Sequence, residues 1–289
     1  MTKRKQDLLE TIFFPLPAII LVALMIYIPF VLSGYYSFTR WNGIAKDPEW
    51  VGLRNFINIF SGNTDFFKTL SFTFRYTVFF MIFTNIIALF LAMALVNKFR
   101  LANLLRGVFF IPYVMSMIIV GFLWQFIFTS GFDTLYKMTG WGLFNWSWLG
   151  TPKMAGISVI VVGIWQSLGF YMVLYIAGFE SMPSDVLEAA TVDGATGWIR
   201  MKNVILPLLA PSISTCMFMS LTNSLKLYDI VQSLTRGGPA GSTVTVTVGI
   251  YRDAFQSNRY GLGAAESLLF FIIILVLTQI VNRVFKPEV

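Results

Sequence analysis

Long runs without a charged side chain constrain the fold of this 289-residue chain most strongly. Five runs contain no Asp, Glu, Lys or Arg, and a sixth contains a single carboxylate, Glu266, near one end. Since a helix needs ~20 apolar residues to cross the hydrocarbon core of a membrane, each run is long enough to span it. The runs predict an all-α integral membrane protein with six transmembrane helices, at about residues 12–37, 73–97, 107–129, 155–179, 206–227 and 261–283.

Composition supports a membrane protein and removes most enzyme chemistry. Only 12% of the residues are charged, against roughly 25% in soluble domains. The chain has no histidine and one cysteine, Cys216, which excludes a histidine metal site, Ser-His or Cys-His nucleophilic catalysis and an internal disulfide. Segments between spans reach at most about forty residues, fewer than the ~50 of an independent domain. We therefore expect residues 1–289 to form a single polytopic membrane domain with no catalytic residue and no metal.

The sequence also contains no GxxxxGK[ST] motif. That loop cradles nucleotide phosphates in many ATPases. We therefore expect the chain to bind no cofactor and not to be an enzyme. Any active transport would take its energy from an ion gradient or from another subunit.

An even number of spans places both termini on one side of the membrane. Roughly half of the 21 basic residues would lie on that side, so the number of basic residues alone favours neither orientation. The segments on that side are shorter, however, and the flank of the first span, Thr2-Lys3-Arg4-Lys5, is basic. The positive-inside rule then favours both termini in the cytoplasm. Membrane-flanking lysines and arginines also account for the net charge of +7 without a nucleic-acid surface.

One short run between the fifth and sixth spans alternates two β-branched residue types, Thr243-Val244-Thr245-Val246-Thr247-Val248. Such residues favour extended structure. An open strand facing lipid would leave backbone groups unpaired. We expect this run to be an extended loop that lies outside the bilayer or packs against protein.

The segment between the fourth and fifth spans, residues 180–207, is predicted to form two short helices with a break between them. Asp185 and Glu188 favour the positive end of the first helix, and Gly194 suits a left-handed cap at its end. Apolar and acidic residues alternate along this helix, so it should lie flat at the membrane face. The residues alone leave open whether it docks on a protein partner or is a simple interfacial helix.

Three motifs in this segment have a recognisable spacing: Glu188-Ala189-Ala190, Asp193-Gly194-Ala195 and Ile205-Leu206-Pro207. They resemble the EAA loop in the permease subunits of binding-protein-dependent ABC importers. The resemblance covers nearly the whole sequence, and within this family the chain is most similar to the maltose-type sugar permeases. It includes Gly52-Leu53-Arg54-Asn55-Phe56, the Phe67 to Tyr76 entry to the second span, and Leu234-Thr235-Arg236-Gly237-Gly238-Pro239.

The resemblance implies the type I ABC importer permease fold, in which this loop is a cytoplasmic coupling helix seated in a groove of the ATP-hydrolysing subunit. It places the loop, and with it both termini, in the cytoplasm, and the protein in the inner or plasma membrane of a bacterial cell. It implies that coupling to the ATPase depends on Glu188, Ala189, Ala190, Asp193, Gly194, Ala195 and Pro207.

One face of the fifth span carries Ser220, Asn223, Ser224 and Leu227 at i, i+3, i+4 and i+7. From the residues alone, this polar face serves either a wet cavity or hydrogen bonds between helices. The resemblance implies that the face contacts substrate, together with three positions in the fourth span, Gln166, Ser167 and Phe170. Amides and hydroxyls exchange hydrogen bonds with sugar hydroxyls, and an aromatic ring stacks on a pyranose.

The resemblance therefore implies a non-catalytic permease subunit that forms half of the pathway for a sugar, such as an oligosaccharide. Its implied partners are a second homologous permease, two subunits that bind ATP and Mg, and an extracytoplasmic sugar-binding protein, and the assembly works by alternating access. The alternatives are an ion-coupled secondary transporter and a channel. The secondary transporter is disfavoured because the charged residues within the spans, Arg75 and Glu266, lie near span ends. The channel is disfavoured because the sequence has no signature of a charged ring or a carbonyl filter.

Overall fold

The computed structural model describes residues 14–97 and 100–285. The first two residues of the first predicted span, Ile12 and Phe13, lie outside the described residues. So does the basic flank Thr2-Lys3-Arg4-Lys5.

The described residues form helices joined by short loops, with one two-stranded antiparallel ribbon and a short 3₁₀ turn at Gly142–Asn145. Most connections are short, as is usual for helical membrane proteins. The elements are α1 (Leu16–Tyr36), β1 (Thr39–Arg40), β2 (Glu49–Trp50), α2 (Arg54–Phe60), α3 (Phe66–Leu95), α4 (Ala102–Val114), α5 (Met117–Thr139), α6 (Pro152–Glu180), α7 (Ser184–Val192), α8 (Gly197–Leu208), α9 (Ala210–Leu225), α10 (Asp229–Leu234), α11 (Val246–Tyr251) and α12 (Tyr260–Val284).

The described residues divide into two compact units, one of residues 14–65 and 250–271 and the other of residues 66–97, 100–249 and 272–285. The first unit contains α1, the ribbon, α2 and the beginning of α12. The second contains α3 to α10 and the end of α12. The expectation of one polytopic membrane domain stays a prediction.

Five helices of the described residues are long and apolar enough to cross a membrane: α1, α3, α5, α6 and α12. The pair α8 and α9 is bent by 67° and makes a sixth span if the two helices cross together. The bend follows from the prolines on either side of it, Pro207 and Pro211, which lack a backbone N–H to donate. Length and composition of these helices agree with the predicted six spans.

The third predicted span, 107–129, is divided in the structure. α4 ends at Val114, because Met115 and Ser116 have extended backbone with ψ of 144° and 132°. α5 then begins at Met117 and continues to Thr139, well beyond the predicted end. Hydropathy could not predict this break, since apolar residues continue across it.

The run Thr243–Val248 is not extended throughout, so this part of the prediction was wrong. Val246 begins α11, and its N–H donates to Thr73 Oγ1 at 3.0 Å. Thr243 and Thr245 are fully buried. The run packs against protein, as expected, but tertiary contacts override its preference for extended structure.

Close helix packing in the second unit depends on glycines of α6. A Cβ on Gly169 would lie 2.0 Å from the carbonyl oxygen of Phe109 in α4. A Cβ on Gly163 would lie 2.2 Å from the hydroxyl of Tyr76 in α3. Because these positions are glycine, the backbone of α4 and the side chain of Tyr76 can each approach the backbone of α6 closely, as is common at small residues in membrane helix pairs.

Candidate coupling loop and substrate cavity

The predicted coupling segment folds as α7, a tight turn and α8. Asp193 is the C-terminal cap of α7, and Gly194 follows with φ of +79°. The N–H of Ala195 donates to Ala190 O at 2.9 Å, and that of Gly194 to Thr191 O at 3.1 Å. This left-handed ending is the one expected from the sequence, and glycine adopts it without steric cost.

The same turn starts the second helix. Thr196 occupies the N-cap position of α8 with extended backbone, although its side chain makes no capping hydrogen bond. Pro207 lies near the end of α8, beside the bend to α9. The two-helix prediction for residues 180–207 is therefore observed.

Most of the coupling residues are exposed. Glu188, Ala189, Asp193 and Gly194 face solvent, whereas Ala195 is half-buried and Ala190 is 9% exposed. Large apolar side chains in the same segment are also exposed: Val192 by 87%, Trp198 by 73% and Ile199 by 61%. Apolar side chains beside three acidic residues, in a loop too polar for lipid, form a surface suited to another protein.

Arg106 of α4 links the ends of α3 and α6 next to this loop. Its guanidinium donates to Leu95 O at the end of α3, at 2.8 Å and 3.2 Å. It also lies 3.4 Å from the carboxylate of Glu180 at the end of α6. Because Glu180 is more than half exposed, the ion pair itself contributes little, and the bonds to the carbonyl matter more.

A cavity of about 310 Å³ lies among α3, α4, α6, α9 and α10. It contains five of the seven residues predicted to face the substrate, Gln166, Ser167, Asn223, Ser224 and Leu227. The structure thus brings together residues from two helices more than fifty positions apart in the sequence.

Two helix breaks border this cavity. Tyr113 and Met117, on either side of the break between α4 and α5, both line it. Asn223 and Asp229, on either side of the break between α9 and α10, line it as well. Irregular backbone within apolar helices is tolerated where it is covered by protein or lines a wet cavity. Discontinuous helices of this kind are a common feature of transport sites.

The backbone freed by the second break is satisfied by side chains. The carbonyl of Leu227 accepts hydrogen bonds from Thr245 Oγ1 at 2.7 Å and from Thr247 Oγ1 at 2.5 Å. Its side chain is 7% exposed. Thr245, just before α11, and Thr247, in its first turn, thus support the wall of the cavity.

Ser220 does not line the cavity. It is fully buried, and its hydroxyl accepts from Asn85 Nδ2 at 3.0 Å and donates to Met217 O at 3.1 Å. Asn85 Oδ1 in turn accepts from the hydroxyl of Tyr175 at 2.8 Å. In this structure Ser220 therefore takes part in a hydrogen-bond network that joins α3, α6 and α9.

Phe170 also lies outside the cavity lining. Its ring stacks on that of Tyr113, with centroids 4.6 Å apart and an angle of 16° between the planes. Tyr113 is the ring that lines the cavity. Phe170 thus supports the ring of Tyr113, and the aromatic ring available to a ligand is that of Tyr113.

The two amides of the cavity donate only long hydrogen bonds within the protein. Gln166 Nε2 lies 3.4 Å from Tyr113 O, and Asn223 Nδ2 lies 3.4 Å from the hydroxyl of Tyr171. Both distances exceed the usual 2.7–3.2 Å of N–H···O hydrogen bonds. These amides can therefore exchange such weak contacts for hydrogen bonds to a ligand.

Several lining residues were not predicted from the sequence: Tyr76, Tyr113, Tyr171, Lys226, Tyr228 and Asp229. Lys226 and Asp229 could have been recognised from the sequence, because these two opposite charges directly follow the polar face of α9. No sequence pattern marks the tyrosines as lining residues, since aromatic residues at helical spacing are usually core residues.

The match to known proteins extends over most of the chain. Residues 84–289 match the family model described as binding-protein-dependent transport system inner membrane component. The probable starch degradation products transport system permease protein AmyD of Thermoanaerobacterium thermosulfurigenes is 36% identical, over 92% of this chain and 90% of that protein. The multiple sugar-binding transport system permease protein MsmF of Streptococcus mutans is 33% identical, over 90% of each chain.

The fold also matches a solved structure. A chain in the crystal structure of a bacterial ABC transporter involved in the import of the acidic polysaccharide alginate superposes with a TM-score of 0.83. The alignment covers 99% of both chains at 21% sequence identity. At this identity the likeness supports the fold alone, and the predicted fold class is confirmed.

Proposed function

We propose that this chain, which belongs to the family of binding-protein-dependent transport system inner membrane components, forms half of the membrane pathway of a sugar importer. Members of the family are non-enzymatic permease subunits of ABC transporters. The observation that carries the proposal is the position of the cavity, which lies where two apolar helix pairs are interrupted. Five residues expected to face substrate meet there.

A sugar is the substrate class that suits these groups best. The cavity presents amides, hydroxyls and phenol rings, which both donate and accept hydrogen bonds. The ring of Tyr113 offers an apolar face for a pyranose. The names of the two relatives, which refer to starch degradation products and to multiple sugars, support a neutral oligosaccharide.

ATP would drive transport from outside the chain. We place α7 and the following turn, with Glu188, Ala189, Ala190, Asp193, Gly194 and Ala195, in a groove of an ATP-hydrolysing partner that binds ATP and Mg. Closure of two such partners would tilt α8 and α9 through the bend at Pro207, opening the cavity outward. Hydrolysis would reset it inward.

The complete importer contains further subunits. A second homologous permease supplies the other half of the pathway, and an extracytoplasmic sugar-binding protein delivers the substrate. For α7 to reach a cytoplasmic ATPase, both termini must lie in the cytoplasm and the protein in the bacterial inner or plasma membrane. The ribbon and α2 then lie on the outer face.

Asn223→Ala should reduce sugar uptake by the assembled importer about tenfold, which corresponds to ~1.4 kcal/mol and is typical for the loss of a polar contact to a ligand. The physical reason is that Asn223, exposed to the cavity, holds only a 3.4 Å contact within the protein. The measurement is uptake of radiolabelled sugar, with copurification of the ATPase as a check on assembly.

Thr222→Ala is the matched control. Its hydroxyl donates to Phe218 O and Met219 O within α9, and it does not line the cavity. We expect uptake by this variant to stay near wild type. Normal uptake by Asn223→Ala in a fully assembled complex would contradict the assignment of the cavity as the sugar pathway.

A further inference from the structure

The first unit encloses a polar cavity that the transport pathway does not use. Its volume is about 680 Å³, within the ~300–1,000 Å³ typical of small-ligand sites. It is lined by the ribbon, the loop inside it, α2 and the chain just before α12. With the termini in the cytoplasm, as proposed, these segments lie on the outer face of the membrane.

The loop that forms one wall is held rigidly. Asn42 Oδ1 accepts hydrogen bonds from the N–H groups of Ile44 at 3.0 Å and Ala45 at 2.8 Å. Trp41 Nε1 donates to Ala45 O at 2.8 Å. The Trp41 ring stacks on Tyr36, with centroids 4.3 Å apart. This wall is therefore formed before any ligand binds, which lowers the entropy cost of binding.

The motif Gly52-Leu53-Arg54-Asn55-Phe56 builds a second wall. Gly52 has φ of +59° and turns the chain from the ribbon into α2. Asn55 is 9% exposed, and its Nδ2 donates to Ser37 O and Thr39 O at 2.9 Å each. Asn55 thus fastens α2 to the end of α1 and to the ribbon, and Arg54 beside it lines the cavity.

The charges around the cavity nearly balance: three arginines (Arg40, Arg54 and Arg259) and two carboxylates (Asp47 and Glu49) line it, and Asp253, outside the lining, pairs with Arg259. Arg40 lies 3.9 Å from Glu49, and Arg259 forms an ion pair with Asp253. Of the remaining lining charges, Arg54 is positive and Asp47 is negative. Neither of these two forms an ion pair or side-chain hydrogen bond with any other residue in the described ranges.

Two amides complete the set of available groups. The side chains of Asn58 and Asn258 line the cavity and make no hydrogen bond within the part of the chain that the structure describes. Asn258 has φ of +51°, a conformation that asparagine tolerates better than most residues. One guanidinium, one carboxylate and two amides therefore point to a ligand that both donates and accepts hydrogen bonds.

We propose that this outer cavity is an accessory saccharide-binding site for a neutral, polyhydroxylated ligand. Sugar hydroxyls donate to Asp47 and to amide oxygens, and they accept from Arg54 and from amide NH₂ groups. An acidic segment of a docking protein would need a strongly positive surface, and three arginines offset by Asp47, Glu49 and Asp253 do not provide one. The use of the site in import rests on the proposed function, whereas saccharide binding itself does not.

Protection of a cysteine from labelling tests the site. Ala45→Cys places a thiol in the lining, and the native Cys216 is fully buried and should not react. The full importer, in membrane vesicles without binding protein, is treated with a membrane-impermeant maleimide. A panel of neutral trisaccharides (maltotriose, raffinose and cellotriose) should slow labelling about tenfold at ~10 times the Kd of the best member.

Three matched variants make the result specific. Ile44→Cys, an exposed neighbour outside the lining, should label at a rate that no saccharide changes. Adding Arg54→Gln and Asn58→Ala to Ala45→Cys should remove the protection. Adding Gln256→Ala, an exposed amide of the same unit outside the lining, should retain it.

Absence of protection by every trisaccharide in the panel would overturn the proposal. Protection that requires the binding protein would also overturn it, because the cavity would then be a protein-docking site. Sugar uptake by the wild-type importer is measured in parallel. Uptake without protection refutes the accessory site alone, whereas protection without uptake refutes the proposed import and leaves the saccharide site standing.

Discussion

Replacing Gly194 with valine should reduce ATP-driven sugar uptake about tenfold or more, while the permease still inserts into the membrane. Gly194 has φ of +79°, and left-handed backbone costs other residues ~1–2 kcal/mol, with β-branched residues among the worst. Since ~1.4 kcal/mol corresponds to a factor of ten, relaxing the turn displaces α7 enough to impair docking. The measurement is uptake in vesicles, together with copurification of the ATPase.

Gly140→Val is the control for backbone strain alone. Gly140 also has positive φ, +67°, and an added Cβ at either glycine meets no atom within 4 Å. It follows α5, away from the coupling segment, so uptake should remain near normal. Gly194→Asn should recover most activity because asparagine tolerates this conformation. Equal losses in Gly194→Val and Gly140→Val would argue against a specific coupling role.

Gly169→Ala should destabilise the protein strongly, although glycine to alanine inside a helix usually stabilises by ~1 kcal/mol. The added Cβ would lie 2.0 Å from Phe109 O, which is backbone and cannot rotate away. α4 and α6 must then separate, and overpacking of this kind costs ~1–3 kcal/mol. We expect the half-life of the detergent-solubilised protein on heating to shorten about fivefold or more.

Gly156→Ala is the matched control on the same helix. There the added Cβ would lie 3.5 Å from Phe72 Cε2, an ordinary van der Waals distance. Its half-life should equal or exceed that of the wild type. If Gly169→Ala proves as stable as Gly156→Ala, the close approach of α4 and α6 is not a real constraint.

Features set by local chemistry could be predicted from the sequence. The spans follow from uncharged runs, since burying a charge in lipid is costly. The end of the first helix of the coupling segment follows from Gly194, one of two glycines with positive φ in this segment, the other being Gly197. The polar face of α9 follows from helical spacing, and Asn223 and Ser224 of that face line the cavity. Leu227 lines it too, but it lies beyond the end of the helix at Leu225, so its predicted place on the helical face was wrong.

Features set by tertiary contacts could not be predicted. Hydropathy does not mark the position of the break at Met115 and Ser116, although Pro112 lies inside α4 three residues before it. Ser220 lies on the same helical face as Asn223, yet its hydroxyl accepts a hydrogen bond from Asn85 on another helix. Which polar residues meet a ligand and which join helices depends on neighbours distant in sequence.

The central claim is that ATP hydrolysis in partner subunits, and not an ion gradient, drives sugar through this permease. The direct measurement is sugar uptake by proteoliposomes that contain the complete importer, with binding protein outside and ATP either enclosed or omitted. We predict uptake that requires enclosed ATP and persists when ionophores collapse all ion gradients. Uptake without ATP that follows an imposed proton or sodium gradient would contradict the account.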